Sequence, residues 1–257
     1  VHWTSLDHLL LIAHGSGIPS YDDDFRASIL SFLSKSIPLD QLHLGFLRGS
    51  PSCFDALSKV PLHATLHALP LVLADGLLAA SLIPNTVTAA WEKLHHQVGS
   101  TPSDIHFIPH PGYSSQLFQL VAPYVSPNFL PVSPEEVSVL VISHGNSRHH
   151  SSLADDLCTR FRKTYPQIGS WHAAYLNQAP EIADVFHAIN EQTVIVIPWF
   201  LCPGNHVSLC IPPRLDFSPQ TDPADLFTWH QVGSKRLFYA PPVCMHDEWM
   251  QAILAAL

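Results

Sequence analysis

Apolar and β-branched residues in this chain gather in short continuous runs. Leu9–Ala13 (LLLIA) and Val139–Ser143 (VLVIS) are each followed by a histidine and a glycine, giving LLLIAHGS and VLVISHGN. Runs of this length that stop at small residues read as parallel strands buried on both faces. Three more follow in the first half, Leu42–Leu47, Ala64–Leu73 and Ile105–Ile108, and three in the second, Gly169–Leu176, Val194–Leu201 and Leu237–Ala240. Between them the apolar spacing becomes helical. Helices are predicted over Phe25–Ser36, Pro51–Val60, Val87–Val98 and Ser114–Tyr124, with a turn into helix at Gly76–Ile83. In the second half they are predicted over Leu153–Tyr165, Pro180–Ile189, Asn205–Leu209 and His246–Leu257, and Asp216–Asp225 is predicted as a loop. Strands alternating with helices predict an α/β fold in which each half is a parallel sheet of about four strands with helices on both faces.

The pattern occurs twice. His14 and His144 are 130 positions apart, and near that offset Gly45–Arg48 faces Ala174–Asn177 and Leu69–Leu73 faces Ile197–Leu201. Gly76 faces Gly204, Ile83-Pro84 faces Ile211-Pro212, and Phe107-Ile108-Pro109 faces Tyr239-Ala240-Pro241. Because the order is kept from end to end, the chain reads as a tandem duplication. The halves are taken as 1–130 and 131–257, meeting near Ser126–Glu135.

Composition narrows the function. An apolar fraction of 47% against 13% charged residues supplies a substantial core. Both halves are acidic, with nine Asp/Glu to five Lys/Arg up to Leu130 and twelve to seven beyond it. That balance argues against a nucleic-acid or anionic-membrane surface. No signal-peptide pattern opens the sequence, and no apolar run has the roughly 18–20 residues needed to span a bilayer. The five cysteines form no CxxC pair, so reduced thiols in a cytoplasmic protein are expected. No glycine-rich phosphate loop, GxSxG or dinucleotide fingerprint appears, so no nucleotide is expected.

The candidate chemistry lies in the second half. His144 follows the first strand there, and His206 follows the third across a Pro203-Gly204 turn. Both positions fall at the carboxyl edge of a parallel sheet, where such folds bind ligands. Neutral imidazole suits Co²⁺, Ni²⁺, Fe²⁺ and Zn²⁺ and is a competent base near neutral pH. Asn177, ending the second strand, is a third candidate on that rim. Trp199 or Phe200 could wall a ligand, and alternation lets only one of them face each side. In the first half Leu78 stands opposite His206, so His14 lacks a repeat partner. His149 and His150 are weaker candidates for extending a metal site, as is a Cys202-His206-Cys210 set.

The HG(S/N) strand ends, the segment Pro198–Pro212 and the late Ala240-Pro241-Pro242 resemble the class II tetrapyrrole chelatases, above all the cobalt- or iron-inserting sirohydrochlorin chelatases of cobalamin and siroheme synthesis. The resemblance covers nearly the whole chain as two copies. It implies two flavodoxin-like halves with the macrocycle in the cleft between them, the first half carrying a degenerate site. It also implies that His144 and His206 bind the metal and help take protons from pyrrole nitrogens. The activity so implied is ATP-independent insertion of Co²⁺, Fe²⁺ or Ni²⁺, cobalt favoured, by a monomer or homodimer. The alternative is a non-catalytic relative that carries or scavenges a tetrapyrrole or metal. Where many relatives have glutamate at the end of the second strand, this chain has Asn177, and asparagine is no base at neutral pH. Sirohydrochlorin carries eight carboxylates, so local cations are needed. Arg148 and Arg214 are the candidates.

Overall fold

The computed structural model describes residues 4–16, 18–147, 150–219 and 222–257. The chain divides into two compact units, Val1–Leu117 with Trp249–Leu257, and Phe118–Glu248.

The first unit is built on β1 (Asp7–Ala13), buried at every residue but its first. Helix α1 (Pro19–Leu33) leads to β2 (Leu42–Phe46), and α2 (Cys53–Leu57) to β3 (Thr65–Pro70). A turn of π-helix, Leu78–Leu82, runs into α3 (Ile83–Gln97), which is followed by β4 (Ile105–Phe107). The sheet order is β2-β1-β3-β4, and every pairing is parallel. Leu10 and Ile12 of β1 pack with Leu57, Ala68, Ile83, Val87 and Trp91. Burying each large side chain of this kind is worth about 1.5–3 kcal/mol.

The second unit repeats the plan. Its elements are β5 (Val137–Ser143), α4 (Leu153–Thr164), β6 (Ser170–Tyr175), α5 (Ile182–Ala188) and β7 (Thr193–Pro198). A π-helical turn, His206–Cys210, comes next, then α6 (Pro223–Leu226), β8 (Trp229–Val232) and β9 (Lys235–Tyr239); α7 (Asp247–Ala256) follows in the chain and from Trp249 onward belongs to the first unit. The sheet order is β6-β5-β7-β9-β8. Leu140 and Ile142, 130 positions on from Leu10 and Ile12, pack with Ile182, Phe186, Val196, Val207, Ile211 and Tyr239.

The repeat extends to single backbone hydrogen bonds. The Arg48 N–H donates to the His14 carbonyl at 2.8 Å, and the Asn177 N–H to the His144 carbonyl at 3.0 Å. Leu71 N–H donates to Ile12 and Trp199 N–H to Ile142, both at 2.7 Å. Lone bridges join Phe46 to Ser52 and Tyr175 to Glu181. The π-turns begin at Leu78 and His206, the two residues that the repeat sets opposite each other.

Several elements depart from the sequence reading. The second sheet has a fifth strand, β8, antiparallel to β9 across Gly233-Ser234. Gly233 takes a left-handed φ of +58°, which suits the first position of a two-residue hairpin turn. The predicted helix from Pro51 begins instead at Cys53, where Ser52 and Asp55 form a reciprocal capping box. Ser115–Val125 is a 3₁₀ run interrupted by Pro123, not an α-helix. Among the described residues no helix is long and apolar enough to cross a membrane.

Candidate metal and active site

His144 is exposed immediately beyond β5, and His206 is exposed at the first position of its π-turn. Parallel pairing of β5 with β6 and β7 brings the ends of these strands to one edge. Buried Val207 and Ile211 anchor the π-turn in the core beneath His206. Such turns occur frequently at functional sites.

The two imidazoles have ring centroids 5.0 Å apart and planes at 73°. At that spacing one nitrogen from each can reach a shared ion at ~2.1 Å. Nδ1 of His144 lies 2.9 Å from the Gly145 carbonyl. A carbonyl only accepts, so Nδ1 is the donor, and in the neutral ring Nε2 is the nitrogen with the lone pair. This is the tautomer of a metal-binding histidine whose other nitrogen is tied to a backbone carbonyl. The Asn177 amide lies against the same ring, its Nδ2 3.3 Å from Nε2 and 3.5 Å from Nδ1. Phe200 completes the group, with its ring 6.4 Å from His144 and 6.1 Å from His206.

Other candidates lie elsewhere. Trp199 is 2% exposed, and its ring packs on Phe161 at 5.9 Å, inside the second unit. It is not brought to the histidines; its neighbour Phe200 is. Arg214 is exposed, and its guanidinium donates to the Cys210 carbonyl at 2.6 Å, at the end of the π-turn. Arg148 and His149 lie outside the described residues. His150 is placed with its Nδ1 3.3 Å from the Gln178 amide nitrogen. Among the described residues no three His, Cys, Asp or Glu side chains gather as a metal-binding group, so Cys202, His206 and Cys210 do not form one.

His14 copies the local geometry of His144, with Nδ1 3.0 Å from the Gly15 carbonyl. The rest of the first unit's edge differs. Leu78 opens the π-turn, and Asp75 accepts from His110 Nε2 at 3.1 Å and from the Tyr113 hydroxyl at 3.0 Å. The Gly112 N–H donates to His110 Nδ1, so His110 has the opposite tautomer and presents a proton at Nε2. Those hydrogen bonds hold the Asp75 carboxyl below the usual range.

The sequence profile of the CbiX family matches residues 8–126 and again 138–257. The chain belongs to the CbiX family. Its two family repeats carry His14 and His144 at corresponding strand ends, and only the second adds a histidine at the π-turn. No curated protein matches the chain by sequence.

Solved structures share the fold. CbiX, the terminal enzyme for siroheme biosynthesis in denitrifying bacteria, is 21% identical with a TM-score of 0.65; the match covers 97% of this chain and 99% of that one. The sirohydrochlorin chelatase SirB from Bacillus subtilis subspecies spizizenii, in complex with cobalt, is 14% identical with a TM-score of 0.68, covering 97% and 93%. DR2241 from Deinococcus radiodurans, a multi-domain protein with structural similarity to chelatases and two additional novel domains, is 15% identical with a TM-score of 0.68. There the match covers 98% of this chain, which spans only 55% of DR2241.

Proposed function

We propose that this CbiX-family chain is an ATP-independent metal chelatase. It inserts a divalent metal into a sirohydrochlorin-type tetrapyrrole, with Co²⁺ favoured and Fe²⁺ or Ni²⁺ as alternatives, and His144 and His206 carry the metal. The observation that supports this most is the 5.0 Å histidine pair with Nε2 of His144 left as a lone pair. CbiX and SirB add to it by what their names record, siroheme biosynthesis and a cobalt complex. Cobalt, nickel and iron all suit two imidazoles, so the ligand set leaves the metal open.

In this reading the two neutral imidazoles take the incoming ion as it sheds water. Insertion is then an exchange. The ion passes to the ring nitrogens, and the two pyrrole protons leave to the imidazole nitrogens that it vacates and on to solvent. Charge balances without an oxidant or a phosphate donor. Phe200 offers an apolar edge for the flat ring. Asn177 holds His144 and removes no proton. The reaction is set in the cytoplasm, where the five cysteines stay reduced.

A second reading, a tetrapyrrole or metal carrier without turnover, is favoured by one observation. The His144 rim ends in Asn177, with no acid gathered there among the described residues. An anaerobic visible-absorption assay separates the two. Metal-free sirohydrochlorin is mixed with the protein and, separately, with Co²⁺, Ni²⁺ and Fe²⁺. Insertion faster than the protein-free control supports the chelatase and names its metal. A shifted macrocycle spectrum with no gain in rate supports the carrier and contradicts the chelatase.

A further inference from the structure

One peptide unit in the second half is held at both ends. The Gly145 carbonyl accepts from Nδ1 of His144 at 2.9 Å. The N–H on the other side of that peptide, that of Asn146, donates to Oε1 of Gln178 at 2.9 Å. The same Oε1 accepts from the Ser151 N–H at 3.0 Å, and the Gln178 amide donates back to the Ser151 carbonyl at 2.7 Å. Gln178 therefore spans the loop from Asn146 to Ser151 and stands directly behind the group that sets the His144 tautomer. Gly145 makes the approach possible. Its φ is +69°, and a Cβ there would come within 2.8 Å of Gln178 Cγ.

The first half carries an independent copy built from other residues. The Gly15 carbonyl accepts from His14 Nδ1, and the next N–H, that of Ser16, donates to Oδ1 of buried Asp22 at 2.7 Å. Gly49, beside Arg48, leaves room for that carboxylate; a Cβ on it would stand 3.0 Å from Asp22 Oδ2. Both halves thus use a side-chain oxygen to orient the peptide whose carbonyl orients the histidine. One draws it from a helix and the other from the residue after Asn177.

We propose that Gln178 is a positioning residue for His144. By accepting from the Asn146 N–H it fixes the Gly145 carbonyl, and so keeps Nδ1 protonated and Nε2 open to the metal. The inference rests on reading His144 as the metal-carrying residue. A partner behind a liganding histidine typically contributes 10–100-fold in metal affinity.

The test uses the full chain without macrocycle and Co²⁺ alone as the probe. Nitrogen-15 NMR reads the His144 tautomer, and titration reads Co²⁺ affinity. Gln178→Ala is expected to populate the Nε2-protonated tautomer and to weaken Co²⁺ binding by about 10–100-fold. Gln178→Glu keeps the acceptor, as Asp22 does in the first half, and is expected to restore both readouts. Should the alanine variant fail to fold, Gln178→Met fills the space without an acceptor and is read in its place. A wild-type tautomer and affinity in the acceptor-less variant would overturn the proposal. So would a glutamate variant as impaired as the alanine one, because the donors to Ser151 and His150 would then be what matters. The tautomer measurement needs no turnover. If ring insertion is absent, the proposed function fails while the role of Gln178 is still decided.

Discussion

The side-chain amide of Asn177 stands 3.3 Å from Nε2 of His144, facing the one imidazole nitrogen that the Gly145 carbonyl leaves unprotonated. The amide is also 3.5 Å from Nδ1, so it lies against the face of the imidazole and limits how the ring can turn. Asn177→Ala is expected to lower the insertion rate by on the order of 10-fold through looser seating of the ring. Steady-state assays at saturating metal check this, and an unchanged rate would remove Asn177 from the site.

His14 has the His144 backbone geometry, but the first half's π-turn opens with Leu78 where the second half's opens with His206. The pair of imidazoles found in the second half has no counterpart at that π-turn. His14→Ala is therefore expected to reduce insertion less than either His144→Ala or His206→Ala, measured as kcat/KM for the macrocycle. A loss as large as theirs would assign the first half a direct role.

Acid should weaken the protein in two separate windows. His8 Nδ1 and His43 Nε2 lie 3.0 Å apart in a buried pair, with Asp7, Asp40, His63 and Lys59 as the surrounding charges. Burial first, and the charge of His8 second, push His43 down from 6.5 to about 4. Burial lowers His8 as well. The folded state thus resists protonation that the unfolded chain accepts. The associated stability is complete above 6.5 and is lost as the pH falls from there through about 4. Asp7, held down to about 2 chiefly by the Thr4 hydroxyl and N–H, adds a second loss from 3.8 downward. Thermal midpoints between pH 7 and pH 4 test the first window. His43→Phe should flatten it, and an unflattened profile would exclude the pair as its cause.

Phe186 is 1% exposed in the cluster that also holds Val207 and Ile211 beneath His206. Phe186→Ala is expected to cost about 3–5 kcal/mol by denaturant titration, through lost burial and the cavity left behind. A cost under 1 kcal/mol would mean that this part of the core collapses freely around the gap.

Much of this architecture was legible in the sequence. The continuous apolar runs marked the central strands because both faces of each are covered. The duplicated HG stops marked, in each sheet separately, the edge that carries His14 or His144. Less was legible where the outcome depends on packing between distant segments. Trp229–Val232 has no apolar run, and its pairing follows from the Gly233 turn and β9. Trp199 and Phe200 are adjacent aromatics, so composition does not say which turns inward; the strand ends at Pro198, the Phe200 N–H turns back to the Pro198 carbonyl, and the core takes Trp199. Arg214 offered a free charge in sequence, and the folded π-turn presents it with the Cys210 carbonyl. Gln178 had no signal beyond adjacency to Asn177, because its role exists only once the Asn146 and Ser151 N–H groups are both brought to its side chain.

The proposed chemistry requires two histidines acting together, and the insertion rate of the single variants tests that most directly. His144→Ala and His206→Ala are each assayed anaerobically with sirohydrochlorin and the metal that the wild type prefers, with circular dichroism and thermal midpoint confirming the fold. Both are predicted to fall to the uncatalysed rate, because each removes one of the two imidazoles, ring centroids 5.0 Å apart, that are proposed to carry the metal. Near-wild-type insertion by both folded variants would contradict the account and move the chemistry away from this edge of the sheet.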